Sequence, residues 1–203
     1  MKWIILPAIC CAGMFGSALA QNRADLERCS VRNGAAAIPA CDAIIDGGAL
    51  KGQQLAAAFV IRGSLYGGKG DLGRSLADFD AAVRAAPNYA NAFYNRGLTH
   101  ARKNDFTRAL ADFNEAIRLK PDYYEALVNR GNVHLTQGLF DRAAADYSEA
   151  IRLNPKFSVA FQNRGVAYEK LGDQQQAAAD RAEAARLRAD EAHIFEFPLT
   201  SPK

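Results

Sequence analysis

The sequence predicts an all-α protein, a solenoid of stacked antiparallel helical hairpins, and three recurrences predict it. Asn95-Arg96-Gly97 returns as Asn129-Arg130-Gly131 and Asn163-Arg164-Gly165, each 34 residues on, with Ile61-Arg62-Gly63 one period earlier. Ala77-Asp78-Phe79, Ala111-Asp112-Phe113, Ala145-Asp146-Tyr147 and a worn Ala179-Asp180-Arg181 keep the same interval. Pro87, Pro121 and Pro155 do so as well. Self-similarity at a fixed period of this length is the signature of a repeat array.

In chain order, residues 1–20 come first and stand apart. Lys2 precedes an almost wholly apolar run from Trp3 to Ala18, and Ala18-Leu19-Ala20 fits a small-x-small cleavage site. The run is too short for a spanning helix, and nothing later approaches the ~20 apolar residues that a membrane span needs. A cleaved signal peptide is expected, with a mature chain starting near Gln21 in the periplasm or outside the cell. Cys10 and Cys11 lack the small preceding residue of a lipidation site, so no lipid anchor is expected. Two cysteines remain after cleavage, Cys29 and Cys41. An even count in an exported chain favours a disulfide over a metal site or a catalytic thiol.

Of the 203 residues 49% are hydrophobic, with abundant Ala, which suits packed helices. The net charge of +3 is spread through the chain rather than gathered in a block. With no aromatic-basic platform either, nothing points to nucleic acid.

The recurring phrases divide the array into blocks 56–89, 90–123, 124–157 and 158–191. In the second block Phe93, Gly97 and His100 fall on one helical stripe, and Ala109, Phe113 and Ala116 on another. Lys103-Asn104-Asp105 is the polar turn between them. Pro121 ends the second helix, because proline cannot continue a helix and biases its predecessor away from one. Gly97 and Ala109 are expected to face each other at the closest approach of the two helices. A hairpin of this kind cannot bury its faces alone and must stack on its neighbours. Gln174 to Ala192 reads as an Ala-rich capping helix that has lost the aromatic at Arg181. Residues 192–203 read as a C-terminal tail, with His193 to Pro198 extended.

These residues resemble the tetratricopeptide repeat family. Its pattern of large apolar, Gly, Tyr, Ala, aromatic, Ala and Pro reads here as Phe93, Gly97, His100, Ala109, Phe113, Ala116 and Pro121. The next block reads Leu127, Gly131, His134, Ala143, Tyr147, Ala150 and Pro155, and the first Phe59, Gly63, Tyr66, Ser75, Phe79, Ala82 and Pro87. The last departs, with Arg181 at the aromatic position and Ala189 at the proline. The resemblance covers roughly two-thirds of the chain and implies a right-handed superhelix. Segment 21–55 echoes one worn repeat: Cys29 and Cys41 share the spacing of Gly97 and Ala109, so 21–48 is read as a hairpin stapled by a Cys29–Cys41 disulfide, followed by a connector. Closing so small a loop is worth about 3 kcal/mol in the chain-entropy account.

Several motifs are structural on this reading. Gly63 to Gly70 nearly matches a phosphate-binding loop, and Gly68 to Gly73 matches a dinucleotide fingerprint, but both need a preceding strand and here fall on a helix end and a turn. His100 and His134 fill the slot of Tyr66 and Tyr168 and have no recurring ligand partners, so no metal is expected. No catalytic constellation and no cofactor emerge, and the chain is not read as an enzyme. Arg62–Asp78, Arg96–Asp112, Arg130–Asp146 and Arg164–Asp180 are expected ion pairs in the hairpin seam, within a repeat or across to the next, since a buried unpaired Arg is costly. The alternative use of these arginines is a basic ligand stripe.

The resemblance also implies a concave groove lined by the first helices. Onto this chain it carries Asn91, Tyr94, Asn95, Leu98 and Arg102; then Glu125, Val128, Asn129, Asn132 and Thr136; then Val159, Gln162, Asn163, Val166 and Lys170. The Asn ladder at 95, 129 and 163 can serve the main chain of an extended peptide, or bond helix to helix inside the array. Tyr94, Leu98 and Val128 are the expected apolar anchors. The family's carboxylate clamp is not supported, because Tyr94, Val128, Asn91 and Glu125 stand where it needs lysines. The expectation is a protein or peptide partner held in the groove by a scaffold that does no chemistry. The alternative is a structural assembly subunit of an envelope complex, acting through its end caps or the Ile194–Pro198 tail.

Overall fold

The computed structural model of the chain describes residues 29–30, 34 and 36–195, the last six as backbone only. Residues 1–20, read above as a signal peptide, residues 21–28 and the tail beyond Phe195 lie outside the described residues. Among those described there are nine α-helices and no strand. No helix is long and apolar enough to cross a membrane. The chain divides into two compact units, one ending at Pro87 and one starting at Asn88.

The first unit holds α1 (Ile38–Asp46), α2 (Gly52–Gly68) and α3 (Leu72–Ala85). Pro39 sits in the first turn of α1, where its missing N–H is no loss. Cys29 and Cys41 form a disulfide with Cα atoms 4.7 Å apart. It joins the segment before α1 to α1 itself and lies in an apolar cluster with Ala37, Ile44 and Leu65 of α2. The stretch read as a connector is partly helical, because α2 starts at Gly52. The phosphate-loop lookalike is accounted for by position: Gly63 is in mid-helix, where an added Cβ would lie 2.8 Å from the Phe79 ring.

The second unit stacks three hairpins: α4 (Ala90–Arg102) with α5 (Phe106–Leu119), α6 (Tyr124–Thr136) with α7 (Phe140–Leu153), and α8 (Ser158–Leu171) with α9 (Gln174–Phe195). Each second helix packs on the next first helix, and α4 touches α6 as α6 touches α8. Every turn inside a hairpin uses one solution. The residue at Gly70, Asn104, Gly138 and Gly172 has φ between 58° and 86°, a left-handed conformation that Gly and Asn tolerate best. The N–H one residue later then bonds back to the preceding helix, as Asp105 N to His100 O at 2.9 Å and Asp173 N to Tyr168 O at 2.9 Å. Asp71 and Asp105 cap the helices that follow, accepting from Arg74 N at 3.0 Å and Arg108 N at 3.2 Å. Before each proline the chain leaves the helix in extended form at Ala86, Lys120 and Asn154, as the steric demand of proline requires.

Alanine makes the stacking tight. Ala92, Ala126 and Ala160 on the first helices and Ala109, Ala116, Ala143, Ala150, Ala177 and Ala184 on the second are fully buried. Glycine plays a different part from the expected one. A Cβ on Gly97 or Gly131 would meet the ring of Phe113 at 2.9 Å or Tyr147 at 2.7 Å, not the opposing alanine. The glycine thus seats the aromatic of its own hairpin. Where that aromatic is lost, at Arg181, the glycine meets Ala177 O at 3.2 Å instead. The helix read as ending at Ala192 continues to Phe195, so His193, Ile194 and Phe195 are helical rather than extended.

Candidate partner-binding face

Each expected Arg–Asp pair lies within its own repeat and is bidentate. Arg130 Nε donates to Asp146 Oδ2 at 3.0 Å and Nη2 to Oδ1 at 2.6 Å; Arg62–Asp78, Arg96–Asp112 and Arg164–Asp180 repeat the pattern at 2.7–2.9 Å. The remaining Nη1 of two of them crosses to the preceding repeat, from Arg130 to Asn114 Oδ1 at 2.7 Å and from Arg164 to Ser148 Oγ at 3.0 Å. Arg62 Nη1 reaches Asp42 in α1 at 2.7 Å, and Asp78 draws the Arg62 guanidinium pKa up. Aromatic rings of Phe59, Phe93 and Phe161 lie 5.5–5.6 Å from the guanidinium of the same repeat. A guanidinium with its donors spent on both sides serves as a joint between repeats, and a ligand stripe has no support here. The polar partners Asn114 and Ser148 escaped sequence reasoning, although a polar residue does recur at that interval.

His100 and His134 lie against the same pairs. Their Nε2 atoms are 4.0 Å from Asp112 Oδ2 and 3.8 Å from Asp146 Oδ2, and both Nδ1 atoms are buried without a hydrogen-bond partner. Burial pushes both imidazole pKa values down, against the nearby carboxylates that push them up. Such a base binds fewer protons folded than unfolded, so its stabilising effect is whole above the unfolded value of about 6.5 and is lost as pH falls through it. The thermal midpoint is therefore expected to drop between pH 7.5 and 5.5, and a His100→Gln/His134→Gln chain should show a flatter profile over that range in calorimetry. An unchanged slope in the double variant would remove the histidines from the account. Among the described residues no group of three or more His, Cys, Asp or Glu side chains could hold a metal ion.

The face expected to bind a partner runs along α4, α6 and α8, and the structure sorts its residues into two sets. The first set is interior. Val128 is 3% exposed in the core with Tyr147 and Ala144, which corrects its reading as an anchor. Tyr94 is half-buried: its ring stacks on Tyr123, centroids 4.8 Å apart, and lies 6.2 Å from Phe113, both in its own repeat, while its hydroxyl accepts from Asn129 of the next. Burial raises its pKa. Tyr123 Oη donates to Asn91 Oδ1 at 3.0 Å.

The Asn ladder belongs largely to this interior set. Asn95 Nδ2 donates to Asn91 O at 2.8 Å. Asn129 Nδ2 donates to Glu125 O at 2.8 Å and Tyr94 Oη at 3.1 Å. Asn163 Nδ2 donates to Asn132 Oδ1 at 2.9 Å, which also accepts from Tyr147 Oη at 2.8 Å. Asn132 Nδ2 closes the chain onto Asn129 Oδ1 at 3.5 Å. Asn129 to Tyr94 and Asn163 to Asn132 run from helix to helix, while the bonds to Asn91 O and Glu125 O stay within their own helices.

The second set borders a hollow, with Arg102 and Thr136 exposed and Leu98, Asn132 and the ladder's Asn129 half-buried. Leu98, Arg102, Asn129, Asn132 and Thr136 come together around a hollow of about 350 Å³ between α4 and α6. Its apolar side is completed by Phe106 and Val133, which sequence reasoning did not place there. Farther along, Glu125 is half-buried while Gln162 and Lys170 are exposed, and Gln162 Oε1 accepts from Arg188 at 2.9 Å. Val159 is an exposed apolar side chain and Val166 is half-buried.

Comparison with known proteins follows the same geometry. Three family models described as tetratricopeptide repeat match residues 62–124, 124–157 and 147–179. No curated protein matches the chain. Among solved structures, one titled "Crystal structure of MamA" has a TM-score of 0.69 at 23% identity, over 78% of this chain and 90% of its own. YrrB, titled a TPR protein with an unusual peptide-binding site, has a TM-score of 0.61 at 21% identity, over 92% of this chain and 89% of its own. The first TPR of Spaghetti (RPAP3), bound to an HSP90 peptide, has 0.58 at 22% identity, over 60% of this chain and 97% of its own. At these identities the likeness is one of fold.

Proposed function

The chain belongs to the tetratricopeptide repeat family, and from that premise we propose that it is a non-enzymatic scaffold holding an extended segment of a partner protein along α4, α6 and α8. The observation that carries this reading is the hollow between α4 and α6, an open surface with an apolar floor and a polar rim on the face where family members carry their groove. Peptide capture named in the titles of two structural neighbours, YrrB and Spaghetti, supports it. Rigid stacked hairpins hold such a face in one shape, which limits the entropy lost when a partner is ordered on it. Export to the periplasm belongs to the same proposal, its support being the apolar leader and the disulfide; the mature chain should begin at Gln21 by N-terminal sequencing.

The test places a photo-crosslinking residue at one position at a time in the full chain, in living cells. Exposed Thr136 and Gln162 lie on the proposed face, Arg118 lies on an outer helix, and Ala189 lies on the terminal helix. A discrete adduct from Thr136 and Gln162, and none from Arg118, is the expected result. Adducts from Ala189 alone would overturn the groove and favour assembly through the end of the array.

A further inference from the structure

We propose that the face along α4, α6 and α8 selects a basic residue: a Lys or Arg side chain of the partner segment seats on the Glu125 carboxylate, in a corner walled by Tyr94, Tyr123 and Tyr124. This rests on the groove reading above and names one group that the groove selects.

The corner is built at the start of α6. Tyr123 caps the helix, and Tyr124 and Glu125 open its first turn, where the helix dipole favours a negative charge. Tyr94 comes from α4 of the preceding repeat, and its ring stacks on Tyr123, centroids 4.8 Å apart. One amide ties the two helices together here: Asn129 Nδ2 donates to Tyr94 Oη at 3.1 Å and to Glu125 O at 2.8 Å. Sharing one nitrogen sets the Tyr94 hydroxyl beside the backbone of Glu125. Tyr124 is fixed in turn by Phe157, ring centroids 5.2 Å apart. The carboxylate lies among these phenols. It draws the Tyr124 pKa up, burial and then the same carboxylate raise that of Tyr94, and burial, Tyr94 and the carboxylate raise that of Tyr123.

What the corner lacks is a cation. Asp112, Glu115, Asp146 and Glu149 each hold an arginine at 2.6–2.7 Å. Glu125 forms no ion pair with a Lys or Arg among the described residues, although it is half-buried and the rings displace part of its water. The repeat does not account for the charge either, since Asn91 and Val159 stand at the same place one period away. Lys120 Nζ lies 4.4 Å from the Tyr123 ring centroid, so an ammonium is already drawn to this cluster, yet it makes no bridge to Glu125. With Asp122 exposed in the same turn, acidic groups outnumber basic ones between 120 and 125. An incoming ammonium or guanidinium gains a charge-assisted bond to the carboxylate, with the Tyr94 oxygen as a second acceptor. The rings hold water back and attract the cation as well, which strengthens the pairing over one in open solvent. An acidic segment meets repulsion at the same place.

The experiment is selection of a random nine-residue peptide display library on the chain from Gln21, followed by affinity measurement on synthetic peptides with acetylated and amidated ends. Wild type should enrich Lys or Arg at one position, and placing Gln there in the synthetic peptide should weaken binding about tenfold. Glu125→Gln keeps the size of the side chain and should erase the difference between the two peptides, with the helical circular dichroism unchanged. Glu125→Lys should turn the enrichment towards Asp and Glu. Asp141→Asn removes the same charge from the exposed first turn of α7 and should leave the basic preference intact. Peptides that bind with no basic preference, or whose preference survives in Glu125→Gln, would overturn this inference and leave the groove standing. Enrichment that depends on a free N-terminal amine would also overturn it. A wild-type chain that enriches nothing would overturn both readings.

Discussion

Asp146→Ala is expected to destabilise the chain by about 4 kcal/mol in urea denaturation, because it strands a guanidinium between two helices. Arg130 directs two donors at this carboxylate and a third at Asn114 of the preceding repeat, and the Asp146 side chain is only 9% exposed. Water reaches Arg130 only partly, so the lost bonds are not fully replaced. Removing both charges together, as Arg130→Met/Asp146→Leu, should recover at least half of the loss, since the desolvation of two ions disappears with them. The double variant should still lose the link to Asn114, so its shortfall from wild type measures the bond between repeats. A single variant that unfolds at the wild-type midpoint would show that solvent carries these charges.

Gly131→Val is expected to cost about 3 kcal/mol, the largest effect available from adding atoms rather than removing them. An added Cβ at this position lies 2.7 Å from Tyr147 Cε1, and that ring is fully buried, with its hydroxyl tied to Asn132. The ring cannot move without breaking the amide chain that links α6 to α8. The same substitution at Gly165 should cost distinctly less, because a Cβ there lies no nearer than 3.2 Å to Ala177 O, 3.4 Å to Asp180 Cβ and 3.5 Å to the exposed Arg181 side chain. Helix propensity acts the same way at both sites and cancels from the comparison. Equal losses at the two glycines would show that the aromatic ring is not what the glycine accommodates. In either outcome a melt followed by circular dichroism gives the ranking directly.

The periodic part of this protein was legible in its residues. Period, hairpin turns, proline stops and the Arg and Asp positions of the ion pairs follow from local chemistry repeated at one interval, while the structure decided that each pair closes within its own repeat. Position in the period also rejected the two phosphate-loop lookalikes and placed the histidines. The functional face was harder to read, and the reason is physical. Sequence position places a residue on a helix stripe, but whether that stripe is covered depends on how far the next hairpin leans onto it. Val128 shares a stripe with open residues and is nevertheless enclosed by α7 and α8, and Tyr94 is half covered by Tyr123 and Phe113.

Amides add a second kind of ambiguity, because Asn donates and accepts and so suits both a ligand and a neighbouring helix. Only the tertiary structure shows where Asn95, Asn129 and Asn163 spend their hydrogens, and that of the three Asn129 also borders the hollow, beside Asn132. The hollow itself needs Phe106 and Val133 from different helices beside Leu98, a conjunction that no single period contains. By itself, then, the sequence determined the repeat, its turns and its buried ion pairs, all of which depend on contacts at short and regular separation. The tertiary structure decided which residues remain available to a partner, because availability is set by the packing of one repeat upon the next.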